Sequence, residues 1–63
     1  EAYEAALATL PEEQREAVIM RIEFGYTYPE IAEALGKPSA NAARMAVSRA
    51  LLCVAEVMSG RRG

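Results

Sequence analysis

The side chains best suited to chemistry in this 63-residue chain lie at positions 39–52, SANAARMAVSRALL. An amide at Asn41, guanidinium groups at Arg44 and Arg49, a thioether at Met45 and a hydroxyl at Ser48 combine donors, acceptors and apolar contact atoms. Such a set suits gripping or reading an anionic, hydrogen-bonding partner. Catalysis is poorly served. The chain has no histidine, no aspartate and a single lysine, Lys37, placed in a turn. Its glutamates fall mostly at solvent-facing helix positions, which offer neither burial nor a partner charge to prepare an acid or base. Cys53 has no histidine to activate it and reads as a small, partly buried residue. No metal-ligand cluster, phosphate loop or cofactor signature is present, so no metal, cofactor or small-molecule ligand is expected, and no enzyme.

A helix must carry these residues. Ser39 is a good N-cap immediately after Gly36-Lys37-Pro38, and no glycine or proline follows until Gly60. At the helical period two faces separate. Ala43, Val47, Ala50, Leu51 and Val54 are predicted to pack, whereas Asn41, Arg44, Met45, Ser48 and Arg49 form the polar side.

The preceding chain reads as three shorter helices. Residues 1–8, EAYEAALA, are rich in helix formers and predict a short helix frayed at its start. Pro11 opens a second helix over about 11–24, with Glu12, Glu13 and Glu16 where the helix dipole favours negative charge. The apolar positions there, Ala17, Val18, Met20, Ile22 and Phe24, predict that most of it is covered by other helices. Gly25 ends it. Thr27-Tyr28-Pro29-Glu30 matches a capping box, so a third helix is expected over 28–35 with Ile31, Ala32 and Leu35 facing a core. Only Gly36, Lys37, Pro38 and Ser39 separate it from the last helix, over about 40–58. A connection that short predicts a helix-turn-helix, with Ala32 small enough for a close crossing. The expected fold is therefore all-α: one small four-helix domain over residues 1–58, with a disordered tail at 59–63.

Size and charge are consistent with this. A chain of about 60 residues buries only about 60% of its unfolded surface, so modest stability is expected. The longest apolar run falls far short of the roughly 18 residues that span a membrane, and a lone cysteine suits a reducing cytoplasm. Nothing at the N-terminus suggests export. The net charge of −2 conceals a division. Residues 1–35 carry Arg15 and Arg21 against eight glutamates, giving −6, while residues 36–63 carry Lys37, Arg44, Arg49, Arg61 and Arg62 against Glu56, giving +4. The basic half is the one that holds the polar helix face, which points to a nucleic-acid partner; a chance split of charges is the plainer alternative.

In a helix-turn-helix the second helix enters the major groove and the first crosses the backbone. Asn41, Arg44, Met45 and Ser48 then lie near bases, with Arg49 and Lys37 near phosphates. Arginine pairs bidentately with guanine and asparagine with adenine. Thr27 and Tyr28 can add backbone contacts at the start of the third helix, beside Tyr26. Plainer roles stand beside these: solvation for Arg44, a tolerant first-turn position for Asn41, packing for Tyr28, and exposure without function for Met45.

From Leu10 to Glu56 the chain resembles region 4 of bacterial sigma-70 family sigma factors, most closely the extracytoplasmic-function group. The resemblance is carried by Leu10-Pro11, Arg15-Glu16-Ala17 with Val18-Ile19-Met20-Arg21, Gly25 through Ala32, Leu35-Gly36, and Ser48-Arg49-Ala50-Leu51. It implies recognition of double-stranded promoter DNA at the −35 element by the last helix, and docking on the β flap of the RNA polymerase core. Many such factors are also held by an anti-sigma factor. The resemblance matches Arg44 and Arg49 to the basic recognition residues, with Asn41 and Ser48 beside them, and Tyr28 to the backbone contact. Two departures stand out. A Gly-Thr-Val triplet is common at the start of the recognition helix, where this chain has Ser39-Ala40-Asn41-Ala42-Ala43, one residue longer. Cys53 stands where a basic residue is frequent. Region 2, which reads the −10 element, has no counterpart, so the chain is expected to be an excised domain or fragment.

Two other readings use the same residues. Val18, Ile19, Ile22 and Phe24 in an acidic first half suit a protein-interaction module. Glu-Ile-Ala before a turn also occurs in LuxR-type regulators, which would bind a two-fold symmetric site as dimers.

Overall fold

The computed structural model describes residues 2–60. Four helices succeed one another: α1 Ala2–Ala8, α2 Glu12–Val18 continued by a π turn over Ile19–Glu23, α3 Tyr28–Leu35 and α4 Ala40–Met58. Glu1, where fraying was expected, and 61–63, most of the expected tail, lie outside the described residues. Ser59 and Gly60 close α4 with backbone bonds to Ala55 and Val57.

Local chemistry sets the α3–α4 unit. The Thr27 hydroxyl accepts from the Glu30 amide at 3.3 Å, and the Glu30 carboxylate accepts from the Thr27 amide at 2.8 Å, completing the capping box. At the other end Gly36 takes a left-handed conformation, φ 72° and ψ 28°. That turn brings the Lys37 amide back to the Ala32 carbonyl at 2.8 Å, a geometry costly for any residue with a Cβ. The Ser39 hydroxyl then accepts from the Ala42 amide at 3.1 Å and starts α4. The helix-turn-helix is thus fixed by caps on both sides of a very short connection.

The core is double, and α4 is the wall both halves share. Its first half places Ala43 and Val47 against Ala17, Ile31 and Ala32, with Met20, Tyr28 and Leu35 at the edge. Its second half places Ala50 and Val54 against Ala6, Leu7, Leu10 and Val18, flanked by Tyr3, Ile19, Cys53 and Val57. Ile31, Val18 and Val47 are the largest fully buried side chains. Burying each is worth roughly 1.5–3 kcal/mol relative to exposure.

Two expectations change. The second helix does not run as one α-helix to Phe24: the Phe24 amide donates to the Ile19 carbonyl, five residues back, and the Tyr26 amide to Met20. A turn closed over five residues needs an additional residue to go round, so the residues after it lag behind their α-helical positions. Phe24, which at α spacing shares the face of Ala17, comes off it. Ile22 is 54% and Phe24 64% exposed, so the end of this segment is not covered. Leu51, expected to pack, is 36% exposed. At about 100° per residue it lies roughly 70° from the centre of the Ala43–Val47–Ala50–Val54 stripe, on the flank of the helix.

Candidate nucleic-acid interface

The outward side of α4 is built by what the core takes away. With Ala43, Val47, Ala50 and Val54 buried, Asn41, Met45 and Ser48 form the ridge pointing away from the body. Asn41, Met45 and Ser48 are all exposed. Arg44 and Arg49 are exposed too, yet do not share one narrow face with each other. Five residues at the α-helical step put them roughly 140° apart, on opposite flanks of the ridge. Beyond Ser48 the ridge becomes apolar with Leu52, 66% exposed. Polar contact chemistry is therefore confined to the first half of α4.

Within that half the side chains are bonded to one another. Asn41 Oδ1 accepts from Arg44 Nη2 at 2.8 Å and from Arg44 Nε at 3.3 Å, while Asn41 Nδ2 points to Met45 Sδ at 3.8 Å. Ser48, one turn further on, completes the row. Lys37, in the connection, is held differently: its Nζ lies 2.9 Å from Glu13 Oε1 of α2. An exposed pair of this kind is worth at most about 1 kcal/mol, so a stronger anion can take the ammonium group from it.

Thr27 and Tyr28 stand at the α2–α3 turn. The Thr27 oxygen serves the capping box, which leaves its O–H proton able to donate. Tyr28 is half-buried, with its ring beneath the Arg21 guanidinium at 4.4 Å to the ring centroid. Arg21 also donates to the Tyr26 carbonyl at 2.9 Å. Periodicity does not single Arg21 out, because its partners lie across a loop from it. Phe24 and Tyr26 pack ring to ring at 5.7 Å on the outside of this turn.

A concave surface lies between the α1–α2 turn and the far half of α4. It is an open groove of about 310 Å³ lined by Thr9, Leu10, Pro11, Gln14, Cys53 and Val57. Its lining offers no convergent set of charged groups.

The family model for sigma-70 region 4 matches residues 1–54. The chain belongs to the sigma-70 region 4 family. No curated protein and no solved structure matches it significantly. Region 4 is the part of a sigma factor that recognises the promoter −35 element and binds the RNA polymerase core in transcription initiation; it is a DNA-binding domain and not an enzyme family. The match spans all four helices up to Val54 and so includes the helix-turn-helix and the shared core. No helix among the described residues is long and apolar enough to cross a membrane.

Proposed function

We propose that this region 4 domain, folding as a unit over residues 1–58, reads a −35 element in the cytoplasm by placing the first half of α4 in the major groove. Asn41, Arg44, Met45 and Ser48 face base edges there, Arg49 and Lys37 meet phosphates, and Thr27 and Tyr28 meet the backbone from the start of α3. The observation that carries this is the ridge of Asn41, Met45 and Ser48 with Arg44 on its flank, on a helix whose opposite side is locked into the core. The motif pattern favours the extracytoplasmic-function group.

The 63-residue chain is to be titrated against duplexes it selects from a randomised pool, at two salt concentrations. Weak binding that falls as salt rises supports the assignment, since cation–phosphate contacts release counterions. Affinity indifferent to salt counts against it.

A protein-binding role has its own support. Ile22 and Phe24 are turned outward beside Glu23, in the acidic half of the chain. This surface suits the β flap of the polymerase or an anti-sigma factor. Arg44→Ala separates the two roles, removing promoter binding while leaving a protein partner bound.

A further inference from the structure

We infer that Asn41 is a positioning residue for Arg44, and that the pair together reads one guanine. This rests on the assignment of α4 as the DNA-reading helix and extends it to specificity. An asparagine reads adenine by accepting at Oδ1 and donating from Nδ2 at once. Here neither end of the Asn41 amide is free to do so. Oδ1 accepts from Arg44 at 2.8 and 3.3 Å, and Nδ2 faces Met45 Sδ. The amide orientation is settled by its partners: a guanidinium can only donate, and a thioether can only accept.

What Asn41 takes from Arg44 is equally specific. It occupies the side of the guanidinium formed by Nε and Nη2, leaving the end formed by Nη1 and the second Nη2 hydrogen. Those two parallel donors match guanine O6 and N7. Arginine has many rotamers to lose when it binds, and a neighbour that already holds the guanidinium removes part of that loss. Asn41 sits three residues before Arg44 in the first turn of α4, next to the Ser39 cap, where the backbone is held. The anchor is therefore firm.

The test uses wild-type chain, Asn41→Ala, Arg44→Ala and the double variant. Anisotropy titrations would employ the duplex selected by wild type and duplexes with each contacted base pair replaced in turn. Arg44→Ala should lower affinity about tenfold or more and abolish preference for a G·C pair at one position. Asn41→Ala should lower affinity several-fold, weaken preference at that same position and relax no A·T position. In the Arg44→Ala background it should change affinity less than about twofold. Asn41→Asp keeps the acceptor for Arg44 but cannot donate to adenine N7; it should retain the G·C preference at lower overall affinity, owing to its charge. Relaxation at an A·T position, or losses that multiply in the double variant, overturns the inference alone. An Arg44→Ala variant that binds DNA like wild type overturns the assignment of α4 and the inference with it.

Discussion

Removing Arg21 should loosen the turn that presents α3, through two interactions that can be separated. Its guanidinium sits 4.4 Å from the Tyr28 ring centroid and donates to the Tyr26 carbonyl at 2.9 Å. A cation over an exposed or half-exposed ring contributes about 0.5–1 kcal/mol. The hydrogen bond adds about 0.5–1 kcal/mol in so exposed a place. Arg21→Ala should therefore cost about 1–2 kcal/mol. Against a total of roughly 3–9 kcal/mol for a chain this size, that is a large share. Tm should fall by several degrees, at about 4–8 °C per kcal/mol for small domains. Tyr28→Leu keeps much of the packing against Ile31 and its neighbours but removes the π face. A double-mutant cycle measured by urea unfolding, with circular dichroism as the probe, should return a coupling of about 0.5–1 kcal/mol between the two sites. Single-variant losses that add to within about 0.3 kcal/mol would refute a contact between guanidinium and ring.

Three further outcomes concern other parts of the fold. Val47→Ala removes two methyl groups from a fully buried site and should cost about 1.5–2.5 kcal/mol in the same urea experiment. Gly36→Ala meets no neighbour within 4 Å, yet must adopt φ +72°, so calorimetry should show a loss of about 1 kcal/mol from backbone strain alone. Glu13→Gln frees Lys37 from its 2.9 Å partner and removes a negative charge beside the helix-turn-helix. DNA affinity should rise about two- to fivefold at low salt while stability changes by less than about 1 kcal/mol.

The features legible in the sequence are local ones. The capping box at Thr27–Glu30, the left-handed turn at Gly36 and the Ser39 cap each depend on residues within a few positions of one another, and all three are present. The packing stripe of α4 follows from periodicity except at Leu51, whose apolar character says nothing about whether a neighbouring helix reaches that flank. The end of the second helix is illegible for a different reason. Periodicity assumes the α step, and the π turn at Ile19–Glu23 breaks that assumption, releasing Ile22 and Phe24 to the surface. The partnership of Lys37 with Glu13 spans 24 positions and has no sequence signal short of the fold itself. The Asn41–Arg44 pair lies at helix spacing i, i+3, but which atoms meet depends on rotamers that spacing does not give.

Ala17 and Val18 are neighbours in sequence, yet Ala17 belongs to the core half around Ile31 and Val18 to the half around Leu7. One peptide link thus ties both halves together, and α4 ties them a second time along its length. Neither half can open without exposing the buried face of α4 and loosening the other. The amides of α4 should therefore exchange with solvent hydrogen through one shared opening event, so that the half packed on α3 is as persistent as the half packed on α1.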